Sequence, residues 1–134
     1  MAASGTAQNV TPYDILDGDA GVRALVERFY DLMDLEPAYA ELRAVHAATL
    51  DHAREKLYLF LSGWLGGPQL YVERHGPPRL RARHLPFAIA PRERDQWLAC
   101  MAQALDDVAC PAELKPRLME AFFQTADWMR NRDG

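Results

Sequence analysis

The chain has 134 residues, 49% of them hydrophobic and 25% charged, and a formal net charge of −4. That length makes one domain, able to bury a core without disulfides or a structural metal. The acidic balance leaves no footprint for nucleic acid or an anionic membrane, and no apolar run is long enough to span a bilayer.

Residues 1–11 are small and polar and lack the basic-then-apolar layout of a signal peptide, which predicts a flexible tail ahead of a single domain over 12–134. The first long helix is marked by Val22, Leu25, Val26, Phe29, Tyr30 and Met33, spaced as one buried helical stripe. Asp19 is the expected cap, with Gly18 turning the chain before it. A poorly periodic piece, Pro37 to His46, fits one or two helical turns. A second stripe runs Ala53, Leu57, Phe60, Leu61, Trp64, capped by Asp51 or Thr49 and ended by Gly66, Gly67 and Pro68.

Gln69 to Pro78 reads as loop, punctuated by His75-Gly76-Pro77-Pro78, and a basic segment from Arg79 to His84 follows. Pro91 opens a third long helix striped by Trp97, Met101, Ala104, Leu105 and Val108. Pro111 separates it from a last helix carrying Leu114, Leu118, Ala121, Phe122, Thr125 and Met129. No alternating run predicts a strand, so the fold class is all-α. Cys100 and Cys110 are expected toward opposite ends of the third helix, about 15 Å apart by its rise per residue, too far for a disulfide. Free thiols without an export signal point to the cytoplasm.

A Gly-rich phosphate loop, His-Glu-x-x-His, paired-cysteine zinc spacing and a nucleophile elbow are all missing. Glu93, Asp95, Asp106 and Asp107 read as solvated helix faces. Of the histidines, His84 stands out, on a short turn beside a proline-bounded loop. It is either a surface residue of a basic turn or an axial nitrogen ligand of the kind haem iron takes. Arg79, Arg81 and Arg83 are either solvated or poised to pair with the carboxylates of a cofactor. Tyr30 and Trp97 lie on the stripes of two different helices. A buried O–H and a buried indole N–H each need an acceptor, and a partly negative bound oxygen would serve both.

Four stretches together carry a resemblance. They are Arg28-Phe29-Tyr30; Lys56 to Leu61 leading into Trp64 and Gly66-Gly67-Pro68; Arg79 to Phe87; and Glu93-Arg94-Asp95-Gln96-Trp97-Leu98 with Cys100-Met101. From Tyr13 to about Trp128 the chain resembles the group II truncated haemoglobins. The resemblance implies a two-over-two helical sandwich around one haem b, with His84 as the proximal iron ligand. It places Tyr30, His46 and Trp97 on the distal side, stabilising the bound ligand. Leu57, Phe60, Phe87, Trp97 and Met101 would contact the porphyrin, and Lys56, Tyr71 and Arg83 would reach the propionates. Ala53 falls where many globins carry a bulky distal gate. Two departures stand out: Gly18 and Gly21 are not adjacent, and the stretch from Tyr30 to Ala53 is longer by a couple of residues, which bears on His46.

The function so implied is reversible binding of O₂, CO or NO, with distal hydrogen bonds giving high affinity. The alternatives are a redox enzyme, turning over nitric oxide with oxygen or acting on peroxide, and a helical interaction module without cofactor. A reductase and a second copy of the chain remain open as partners, and no exposed stripe marks either.

Overall fold

A computed structural model of the chain describes residues 10–79 and 89–128. In those residues the helices, in chain order, are α1 (Pro12–Ile15), α2 (Gly18–Leu35), a 3-10 turn (Pro37–Tyr39), α3 (Ala40–Ala44), α4 (Asp51–Trp64), α5 (Leu70–His75), α6 (Pro91–Asp107) and α7 (Lys115–Trp128). The four long ones are α2, α4, α6 and α7, and no strand occurs among the described residues.

The predicted stripe of α2 is buried throughout, with Leu32 added to it. A buried side chain of this kind contributes about 1.5–3 kcal/mol relative to exposure, so α2 is the fold's main apolar strut. It packs against α4 on one side and α6 on the other, while α7 lies on α6. The result is two helix pairs crossing in a two-over-two sandwich.

The entry to α2 differs from expectation. Its N-cap is Asp17, in the left-handed region at φ 75°, and Asp17 makes no side-chain capping bond. Asp19 sits inside the first turn instead. Its carboxylate accepts from Arg23 Nε at 3.0 Å and from the Tyr58 hydroxyl of α4. Gly21 is required by close approach, because a Cβ there would lie 1.4 Å from the Leu16 carbonyl oxygen. Thr11, the last residue of the expected tail, caps α1. It accepts from Asp14 N while Asp14 accepts from Thr11 N, both at 3.2 Å.

Thr49 Oγ1 accepts from Asp51 N at the start of α4, with Leu50 in the N-cap position. The helix ends as predicted: Gly66 takes φ 100° and the Gly67 N–H returns to the Ser62 carbonyl at 2.8 Å. The expected loop from Gln69 to Pro78 contains α5. Its anchor is Tyr71, buried and edge-on to Phe60 of α4 at 6.4 Å, and Arg74 pairs with Glu55 at 3.0 Å. Tertiary packing makes this segment helical, between two Gly/Pro stops that hide it from periodicity.

Pro91 does open α6, but Glu93 is not a solvated carboxylate. It is 5% exposed and accepts from Ala90 N at 2.9 Å and Arg92 Nε at 2.9 Å. Burial pushes its carboxyl up, and these hydrogen bonds outweigh that, holding it below the ordinary value. Asp95, Asp106 and Asp107 are exposed, as predicted. The helix stops at Asp107, where Ala109 turns left-handed (φ 61°) and Cys110 N bonds back to the Leu105 carbonyl at 2.9 Å. Cys110 therefore lies past the helix end while Cys100 lies in its middle, and both thiols are free.

Candidate functional site

Two expected polar groups meet in the core through an unremarked neighbour. Phe29, fully buried on α2, packs edge-on to Tyr30 with ring centroids 4.9 Å apart. It also packs against Trp97 of α6 at 5.2 Å. Trp97 continues to Phe122 of α7 at 5.3 Å, and Phe122 stacks on Trp64 of α4 at 4.4 Å and 14°. On the other flank Tyr30 meets His46 edge-on, 6.0 Å between centroids. The structure thus brings Tyr30, His46 and Trp97 into one run of rings crossing all four long helices.

The polar atoms in this run matter most. Tyr30 is 5% exposed, yet its hydroxyl makes no hydrogen bond among the described residues, and neither does the Trp97 indole N–H. Trp97 is half-buried, and no fully buried side-chain nitrogen or oxygen among the described residues lacks a partner, so both donors still reach accessible space beside the ring cluster. An acceptor supplied from outside the chain fits that pair. Burial pushes the Tyr30 phenol well above its ordinary value, and the Arg54 charge pulls it back only in part. Tyr30 therefore stays an O–H donor across the whole working pH range. Arg54 lies with its guanidinium carbon 5.8 Å from the Tyr30 ring centroid, held by Glu27 and, at 3.0 Å, by Asp31.

The wall opposite is apolar. On α4 the side chains of Ala53, Leu57, Phe60 and Trp64 pack against the core yet stay only half-buried, whereas Tyr58, Leu59 and Leu61 are buried. A half-buried apolar stripe along a central helix is the surface a flat hydrophobic group needs. Lys56, next to Leu57 in the chain, is exposed, and Tyr71 is buried against Phe60. Met101, one turn beyond Trp97, is fully enclosed in the core behind it. His84, Arg83 and Phe87 lie outside the described residues.

His46 occupies the turn after α3, with Nδ1 2.9 Å from the Leu42 carbonyl oxygen. The residues that build that turn carry no local signal. Gln96 of α6 accepts from Leu42 N at 2.9 Å and donates to Glu41 at 2.7 Å, and Tyr39 donates to Gln103 at 2.7 Å. These bonds join residues more than fifty positions apart, which no local pattern encodes. Phe29 was visible as a member of a stripe and of the Arg28-Phe29-Tyr30 stretch, with no sign that it would link Tyr30 to Trp97.

The comparisons agree with this geometry. Residues 11–131 match the family model of bacterial-like globins. The chain is 38% identical over 121 residues to the group 2 truncated haemoglobin YjbI of Bacillus subtilis, covering 90% of this chain and 89% of that one. Among solved structures, the group II 2-on-2 haemoglobin of Agrobacterium tumefaciens superposes with a TM-score of 0.89 at 45% identity, covering 92% of this chain and 96% of the other. A cold-adapted truncated haemoglobin of Pseudoalteromonas haloplanktis gives 0.88 at 45% identity, covering 92% and 99%. The truncated oxygen-avid haemoglobin of B. subtilis gives 0.83 at 38% identity, covering 91% and 100%. The chain belongs to the bacterial-like globin family, as a group II truncated haemoglobin whose cofactor is haem b.

Proposed function

We propose that this globin binds O₂ and related diatomic ligands (CO and NO) reversibly and with high affinity. The observation that carries the reading is the pair of donors flanking Phe29, the O–H of buried Tyr30 and the N–H of half-buried Trp97, which make no hydrogen bond to the described residues and still reach accessible space. When bound, haem supplies an iron whose open position takes the ligand. The chain's own residues do the rest. The half-buried stripe of Leu57 and Phe60 on α4, with Trp97 on α6 and Met101 behind it, holds the porphyrin and excludes water. His84 would be the proximal ligand and Phe87 would contact the porphyrin, while Lys56, Tyr71 and Arg83 would reach the propionates.

On the distal side, Tyr30 and Trp97 donate to ligand oxygen, and the low dielectric of the ring cluster makes each bond count for more than in water. His46 completes this side as the third polar residue. Slow oxygen release is the expected consequence, and the name of the B. subtilis oxygen-avid relative runs in the same direction. Oxygen equilibrium and dissociation measurements on the reduced protein test the reading. Saturable, reversible binding with slow release supports it. Oxygen-independent spectra, or fast release unchanged in a Tyr30→Phe/Trp97→Phe double variant, would overturn it.

A further inference from the structure

The ring of His46 is held in a defined chemical form. A carbonyl oxygen only accepts, so the 2.9 Å contact from Nδ1 to Leu42 O requires the hydrogen to be on Nδ1. In the neutral ring, Nε2 then carries the lone pair and is an acceptor. The ring faces Tyr30 edge-on, at 6.0 Å and 79°.

Two side chains fix the turn that carries this ring. Gln96 secures the Leu42 N–H from α6 at 2.9 Å, so the residue whose carbonyl receives His46 is tied down on its N-terminal side. Arg43 secures the far side. Its two terminal nitrogens donate to the carbonyls of Ala47 and Ala48, 2.8 Å each, and its Nε donates to Asp34 at 2.9 Å. Those carbonyls lie past the end of α3, outside any helical ladder. A planar guanidinium spans two of them and a carboxylate in a single pose, which an ammonium does not. The Arg43 side chain is 24% exposed, so this frame is only partly screened by water.

We propose that Arg43, anchored on Asp34, is a positioning residue that locks His46 on the Leu42 carbonyl as its Nδ1–H tautomer, leaving Nε2 an acceptor beside Tyr30. Freed of this frame, the imidazole can leave the Leu42 carbonyl, samples the other tautomer, and is able to present a ring nitrogen lone pair as an axial ligand. The tautomer stands on the chain alone; the consequence for coordination rests on the function proposed above.

The two parts separate in one experiment. In haem-free protein labelled with ¹⁵N-histidine, long-range ¹H–¹⁵N correlations should show His46 as the Nδ1–H form. Arg43→Ala should raise the Nε2–H population about tenfold, Asp34→Asn should do so less, and Arg43→Lys should restore only part of the lock. A wild-type Nε2–H ring, or an Arg43→Ala spectrum identical to wild type with helical circular dichroism intact, would overturn the proposal. In the reduced, haem-loaded protein, Arg43→Ala should gain six-coordinate low-spin absorption bands that vanish when His46→Leu is added. Bands that persist without His46 contradict the role given to it. Failure of the wild type to take up haem would instead strike the proposed function and leave the tautomer measurement standing.

Discussion

Tyr30 and Trp97, sixty-seven positions apart in the chain, pack on the same Phe29 ring at centroid separations of 4.9 Å and 5.2 Å. Helix α2 brings one and α6 the other, and the crossing of these two helices makes them neighbours. Each carries a donor that makes no hydrogen bond to the described residues, and neither donor is sealed away from accessible space.

Stability and function separate at Tyr30. Tyr30→Phe removes a buried O–H without removing a protein hydrogen bond, so the haem-free protein should be as stable as wild type or slightly more so. The same change should speed oxygen dissociation. Trp97→Phe, which keeps a ring between Phe29 and Phe122, should raise the dissociation rate by the equivalent of about 1–2 kcal/mol. Stopped-flow release and thermal melts measure both. A Tyr30→Phe variant that melts several degrees lower, with unchanged release, would show the hydroxyl to be structural.

Glu93 links α6 to pH. Its folded-state carboxyl lies below the ordinary value of 4.5, so its contribution is complete above that pH and is lost as pH falls through the lower, folded value. Most of the gain comes from the Ala90 N–H, since Arg92 is two-thirds exposed and its ion pair is weak. Glu93→Gln should cost about 1 kcal/mol near neutral pH and flatten the acid limb of the stability curve. Urea melts across that range check it; an unaltered acid limb would assign the pH dependence elsewhere.

Gly21 has no room for a methyl group, because the Leu16 carbonyl occupies the place of its Cβ. Gly21→Ala must therefore push α1 away from α2, costing at least about 1–3 kcal/mol. A calorimetric melting temperature equal to wild type would show that this junction yields freely.

Cys100 donates to the Phe29 carbonyl at 3.2 Å, and burial pushes its thiol up to about 12. Thiolate is the reactive form, so Cys100 should resist alkylation in the native protein at pH 8 and react once the chain unfolds. Cys110, also shifted upward but half-buried, should label first. Rapid native labelling of Cys100 would mean that the α2–α6 seam opens on that timescale.

The four long helices were legible because each turns one stripe at helical spacing toward the core, and the α2 stripe from Val22 to Met33 is buried residue for residue, whereas most of the α4 stripe is half-buried. Helix α5 was not, being six residues fenced by Gly66-Gly67-Pro68 and Gly76-Pro77-Pro78 and made helical by Tyr71 on Phe60. Glu93 misled because Ala90, with no acceptor side chain, hides the half-capping box that buries the carboxylate. The stripes identified which faces of α2 and α6 are inward, but nothing local told that those faces meet at Phe29. The Arg43 and Gln96 frame of His46 is built from contacts that only the folded chain makes.

The measurement that bears most directly on the account is the absorption spectrum of purified protein in ferric, reduced and CO-bound forms, beside His84→Ala. A Soret band that shifts with CO in the wild type and is lost or weakened in the variant is expected. An identical band and CO shift in His84→Ala, or no band in the wild type after hemin is added, would contradict it.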